Sequence, residues 1–278
     1  MSMNDALELL GLAALGFAVG TYGTIIGLGG GFILVPVLLF LYPDYDPEHL
    51  TAISLLVVWA NTTSGSVAYA RQGRIDYATG LLFAASSVPG VLAGVFLVDL
   101  VPERAFTIVF ALILLALAAV AMRGPPRGIR QPLSGRGVVI RQVVTPEGTY
   151  RYGYRLWQGA ALSLGVGLVS SLLGIGGGAV HVPVMISTLH FPVMLATATS
   201  QFILAFMSGG ASVVHLVKGT LSGDQLVKAA ALGVGTVPGA QLGARMAQRI
   251  KARTVIKLLV AGLLVLSFRL FLKGIAGS

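Results

Sequence analysis

Gly27-Leu28-Gly29-Gly30-Gly31, leading to Val35-Pro36, recurs as Gly174-Ile175-Gly176-Gly177-Gly178, leading to Val182-Pro183. Each copy interrupts a long apolar run. Glycine is the poorest helix former after proline, and three in succession cost about 2–3 kcal/mol of helix propensity. A helix that stops and restarts inside lipid frees backbone N–H groups that have no water to turn to. A pair of such breaks at corresponding points of two halves is the sequence mark of a transporter's binding site.

The rest of the chain places these breaks in a bilayer. Of its 278 residues, 55% are hydrophobic and only 10% charged, against about 25% charged in soluble domains. The mean hydropathy is +0.87. Apolar segments run approximately over 6–26, 31–42, 50–70, 77–98, 104–122, 156–174, 178–189, 193–217, 225–247 and 254–272. Most have the roughly 20 residues that a spanning helix needs. Met1 to Leu10 carries Asp5 and Glu8 with no Lys or Arg, which is not the pattern of a secretory signal, so the first run stays in the membrane. The absence of cysteine excludes disulfides, thiolate metal sites and thiol redox chemistry. The net charge of +9 sits at the ends of apolar runs, as anchoring against anionic membrane lipids requires, and gives no nucleic-acid interface.

The halves match beyond the glycines. Pro36 aligns with Pro183, Ser54 with Ser200, Gly73 with Gly219, Pro89-Gly90 with Pro238-Gly239, Gly94 with Gly243 and Arg104 with Arg253. This ordered series reads as an internal duplication: a first transmembrane repeat over 1–122, a basic linker over 123–155, and a second repeat over 156–278. The linker holds seven arginines against the single acid Glu147, and so is expected in the cytoplasm. Within it Val138-Val139-Ile140 and Thr149-Tyr150-Arg151-Tyr152 flank Thr145-Pro146-Glu147-Gly148, the pattern of a short β-hairpin. The expected fold is an all-α polytopic membrane protein of about 8–10 membrane segments, with two homologous halves and helices broken at the glycine clusters. If 31–42 and 178–189 each cross, the halves are inverted; if they only dip in and out, a count of four crossings per half makes them parallel. The arginines and lysines of 245–257 favour the inverted arrangement, which puts the C-terminus outside.

All ten acids lie in loops or at segment ends. Carriers of sodium, protons or divalent cations keep carboxylates at mid-membrane, and a metal carrier would need clustered His, Asp or Glu there. Their lack points to anions or neutral solutes, with no metal and no cofactor. The restarting helices after Gly29-Gly30-Gly31 and Gly176-Gly177-Gly178 would bind an anion through free N–H groups and the positive end of the helix dipole. Ser54, Asn61, Ser200 and Gln201, at corresponding segments of the halves, could add hydroxyl and amide donors without adding negative charge. His181, three residues after Gly178, is the candidate for proton or charge coupling. Gly90 with Gly94, and Gly239 with Gly243, suit close helix packing instead. Ser212 and His215, three apart on one helix, offer a weak hydrolase pair that lacks an oxyanion hole. No Walker lysine follows either glycine cluster, so the chain does not read as a nucleotide binder.

The doubled glycine break with its Val-Pro, together with the Pro-Gly-xxx-Gly helices at 89–94 and 238–243, resembles the sulfite exporter TauE/SafE family of membrane permeases. The resemblance covers about 20–120 and 165–270 and implies a bacterial or archaeal inner-membrane carrier. Its implied substrates are small sulfur oxyanions or sulfonates such as sulfite and sulfoacetate. The arginine-rich linker is longer than the family leads one to expect. The sequence leaves homo-oligomerisation open.

Overall fold

A computed structural model of the chain describes residues 3–122, 137–145, 148–221 and 223–276. The first half contains α1 (Met3–Ile26), α2 (Gly31–Leu41), α3 (Pro47–Arg71), α4 (Tyr77–Leu97), which ends in a 3₁₀ turn at Val98–Leu100, and α5 (Glu103–Met122). The second contains α6 (Leu156–Leu173), α7 (Gly178–Ser187), α8 (Val193–Val217), α9 (Gly223–Ala247) and α10 (Ala252–Ala276). Between them β1 (Val138–Thr145) and β2 (Gly148–Arg155) pair antiparallel, with Thr145 opposite Gly148, so the expected hairpin is present. Its turn residues Pro146 and Glu147, and the linker arginines at 123–136, lie outside the described residues.

Among the described residues, seven helices are long and apolar enough to cross a membrane: α1, α3, α4, α5, α6, α8 and α10. Among the described helices α2 and α7 are too short: ten or eleven residues rise only about 15 Å, half of a hydrocarbon core. These two do not cross. The Tyr42 hydroxyl, just past α2, donates to the Glu8 carboxylate near the start of α1 at 2.6 Å, so α1 and α2 form a hairpin that enters and leaves at one end. Likewise Pro183, Ile186 and Ser187 of α7 line a small cavity with Val120, Ala121 and Ile256, at the end where α6 begins.

Corresponding helices of the two halves nevertheless run in opposite directions, consistent with inverted repeats, and the contacts fix those directions. Lys218 reaches Glu48 at 2.8 Å, a Cβ on Gly209 would lie 2.7 Å from the Trp59 indole nitrogen, and one on Gly65 would lie 3.1 Å from Gln201 Oε1. The counterparts α3 and α8 therefore run antiparallel. So do α5 and α10, where Ser267 donates to the Ala111 carbonyl at 2.8 Å. By contrast α1 runs parallel to α9, with Gly235 on Ala13, Gly239 on Phe17 and Gly243 on Thr21. In the same way α4 runs parallel to α6, with Gly90 on Leu164 and Gly94 on Leu168. Dipping segments thus do not imply parallel repeats. The first and second helices of each half together return to the end where the first began, and the other three each run from one end of the bundle to the other, an odd number of passes. The expected packing role of Gly90, Gly94, Gly239 and Gly243 is what these contacts show, since a Cβ at any of them would strike the backbone of the facing helix.

The β-hairpin docks on the end of the bundle where α4 and α6 begin, called here the hairpin end. Asp76 caps α4 there through Thr79 and receives Arg141 of β1 at 3.0 Å and the Tyr152 hydroxyl of β2 at 2.6 Å. Burial would raise the Asp76 carboxyl, but the hydrogen bonds from Arg141, Thr79 and Tyr152 outweigh it and hold the group below its ordinary value. A carboxylate depressed by folding stabilises at pH above its unfolded pKa and loses that stabilisation as pH falls through the folded one. Melting temperature should therefore show no Asp76-dependent change between about pH 5 and 8, and Asp76→Asn should narrow the fall seen below about pH 4.

Candidate anion site at the two helix breaks

The breaks meet. A Cβ on Gly31 would lie 2.8 Å from the Gly174 carbonyl oxygen, and one on Gly178 would lie 2.8 Å from the Gly27 carbonyl oxygen, so backbone packs on backbone across the pseudo-twofold relation. Within each break the same three glycines take the left-handed conformation: Gly27, Gly29 and Gly30 at φ 80°, 73° and 89°, and Gly174, Gly176 and Gly177 at 68°, 73° and 85°. Any other residue would be strained there. Val58 of α3 pins the crossing, with its methyls against Gly29, Gly31 and Gly176. Leu28 and Ile175 are fully buried.

The hydrogen bonds around the crossing divide unevenly between donors and acceptors. The carbonyls of the ending helices are covered: Tyr69 donates to Thr24 at 2.8 Å, Asn61 to Gly29 at 3.0 Å, Ser54 to Gly174 at 2.7 Å and Gln201 to Gly23 at 3.4 Å. The restarting helices have no such cover. Gly30 and Gly177 stand at the N-caps of α2 and α7 and supply no capping side chain. The first backbone bonds of these helices come from Ile33 and Val180. Among the described residues, no acceptor meets the N–H groups of Gly29, Gly30, Gly31 and Phe32, or of Gly176, Gly177, Gly178 and Ala179. The N-terminus of each restarting helix thus packs against the backbone of the other break, and among the described residues no carboxylate bonds to either. Such a cradle suits an anion and repels a cation.

Of the side chains named from sequence, Ser54, Asn61 and Gln201 bond to the backbone at or beside the breaks, whereas Ser200 and His181 do not. Ser54 and Asn61 spend their donors on the breaks themselves. Asn61, fully buried, also accepts from Thr24 at 3.3 Å and Thr236 at 3.4 Å, so it clamps α1, α3 and α9 together. Ser200 Oγ and Gln201 Oε1 are buried without a partner among the described residues. His181 lies one turn into α7, its Nε2 3.2 Å from Ser163 Oγ and its ring stacked on Phe83, while Nδ1 is unpartnered among the described residues. Ser212 and His215 make no hydrogen bond to each other. Thr24, Val58, Thr236 and Ser163 escaped the sequence reading, because nothing local sets them apart from the other small or β-branched residues of apolar helices.

The family model for the sulfite exporter TauE/SafE matches residues 12–270. The chain belongs to this family. As a TauE/SafE protein it is 32% identical over 272 residues to "Probable membrane transporter protein YunE" of Bacillus subtilis (strain 168), covering 95% of this chain and 97% of that one. It is 23% identical over 278 residues to a "Probable membrane transporter protein" of Xylella fastidiosa (strain 9a5c), covering 98% and 96%. No solved structure matches the chain. The glycine breaks and all the side chains just described fall within the matched residues, and this is a multi-pass membrane protein of a transporter family.

Proposed function

We propose that this chain is a secondary carrier that moves small sulfur-containing anions, sulfite or organosulfonates, out of the cell. The observation that carries the reading is the imbalance at the crossed breaks, with covered carbonyls and open N–H groups. A tetrahedral or pyramidal oxyanion offers several acceptors to such a cradle without needing a charged side chain. The hairpin end is the cytoplasmic one. Arg71, Arg74, Arg141, Arg245, Arg249, Lys251 and Arg253 gather there, whereas Asp44, Asp46, Glu48, Asp99 and Glu103 lie at the distal end. An anion leaving a cell that is negative inside runs down the electrical gradient, at about 2.3 kcal/mol per 100 mV, so the membrane potential itself favours export.

Purified protein in liposomes loaded with sulfite should give saturable efflux, competed by sulfoacetate and not by acetate. Equal efflux from protein-free liposomes would refute the proposal. His181 is the coupling group in this scheme. His181→Gln should flatten the pH profile of organosulfonate flux, since the sulfonate itself keeps its charge across neutral pH. Superimposable profiles would remove His181 from the mechanism.

A further inference from the structure

The two ends of the bundle are closed by the same chemistry drawn from different sources. At the distal end Asp224, in the first turn of α9, receives the Tyr45 hydroxyl and the Lys228 ammonium, and Lys228 also lies over the Tyr45 ring at 4.9 Å. Every group there belongs to the helical repeats. At the hairpin end Asp76, at the start of α4, likewise receives one tyrosine hydroxyl and one cation.

The repeat cannot provide them. The position matching Tyr45, two residues before the third helix of its half, is Phe191, which has no hydroxyl. The register set by Pro89 and Pro238 puts Thr79 where α9 has Lys228. Both missing groups come from the hairpin: Tyr152, whose ring sits 4.3 Å from Phe191, donates the hydroxyl, and Arg141 brings the charge. Behind them the Tyr154 hydroxyl bonds Thr79 at 3.0 Å and its ring meets Phe83 at 5.5 Å. Phe83 in turn stacks on His181, one turn from the Gly178 break. Tyr152 and Tyr154 are 4% and 1% exposed, buried as deeply as core residues although they sit on an insert between the repeats.

We propose that the β1–β2 hairpin is a removable gate: it completes the hairpin-end closure with groups that the helical half lacks there, and lifting it opens the route past Phe83 and His181 to the breaks. The distal closure ties the loop before α3 to α9, whereas the hairpin-end closure ties α4 to the insert between the halves. In this proposal the insert swings away from α4 about its junction with α6 while the helices keep their places. The gate needs only that a route to the breaks exists and does not depend on which solute uses it.

The chain has no cysteine, so single-cysteine reporters are silent elsewhere. Ser163→Cys reports from beside His181, and Arg151→Cys, on the exposed face of the hairpin, identifies membrane vesicles whose hairpin end faces the reagent. With a charged, impermeant maleimide in those vesicles, Ser163→Cys should label slowly in the parent. Adding Arg141→Gln with Tyr152→Phe should raise the rate about tenfold or more, because hydrogen bonds to a buried charge are lost. Tyr45→Phe with Lys228→Gln, which loosens the distal closure, should leave it unchanged. Tyr152→Phe alone keeps the ring against Phe191 and should give an intermediate rate, which serves if the double variant does not fold. Rates within twofold of the parent in folded variants, or an equal rise from the distal pair, would overturn the proposal. Labelling is read without any substrate, so a failure of sulfite efflux would leave this result intact.

Discussion

Gly178→Ala is expected to abolish assembly of the protein. The new methyl would meet the Leu28 backbone and lie 2.8 Å from the Gly27 carbonyl oxygen, with backbone on both sides and no flexible side chain to yield. Overpacking a tight core typically costs 1–3 kcal/mol, and forcing two helix breaks apart belongs at about 3 kcal/mol or more. Gly31→Ala should behave alike, because its methyl would fall 2.8 Å from the Gly174 oxygen and 2.8 Å from the Ile175 carbonyl carbon. Gly210→Ala in α8 is the matched control. Nothing lies within 4 Å of that position, so the helix should gain about 0.5 kcal/mol. Thermal unfolding in detergent, with the monodisperse yield, separates the three. A Gly178→Ala protein that melts with the parent would mean that the breaks do not touch.

The second large effect is at Asn61. Asn61→Ala strips the Gly29 carbonyl and the Thr24 and Thr236 hydroxyls of their shared partner inside a fully buried site. Each unsatisfied buried group costs about 1–3 kcal/mol, so both stability and transport should fall. Asn61→Asp tests the sign of the cargo. It has nearly the same shape but places a carboxylate beside the open N–H groups, where it would compete with an anionic substrate. Anion binding should be weaker in Asn61→Asp than in Asn61→Ala, by about tenfold or more. Tighter binding of a cation by Asn61→Asp, or the reverse order for anions, would argue for a cation site.

Much of this molecule is legible in its sequence because glycine and proline act locally. Gly27, Gly29 and Gly30, and Gly174, Gly176 and Gly177, permit the left-handed backbone that other residues resist, so both breaks could be placed from the sequence. The segment bounds followed from apolar length alone. Geometry between segments was not legible in the same way. Counting crossings assumed that 6–26 spans the membrane, whereas the Tyr42–Glu8 contact turns α1 and α2 into a hairpin; length cannot tell a helix that crosses from one that goes in and comes back. The same limit applied to the side chains. Asn61 and Gln201 were equal candidates in sequence, but folding gives Asn61 three partners and leaves Gln201 Oε1 with none among the described residues. Asp76 looked like one more acid at a segment end. Its importance arises from Arg141 and Tyr152, 65 and 76 residues away, and no local pattern marks a bond of that span.

Under the proposed function, the inverted arrangement would let a chain with so few charges handle one. Two hairpins entering from opposite ends bring the N-termini of α2 and α7 together, and neither needs a buried lysine or arginine to attract an anion. The carbonyls that would have balanced these dipoles are already taken by Tyr69, Asn61, Ser54 and Gln201.

The most direct test is amide hydrogen exchange of the reconstituted protein with and without sulfite. If the cradle is backbone, sulfite should slow exchange in both the 29–32 and the 176–179 segments together, with sulfoacetate acting alike and acetate without effect. Sulfite binding that protects neither segment, or only one of them, would contradict a cradle shared by the two breaks.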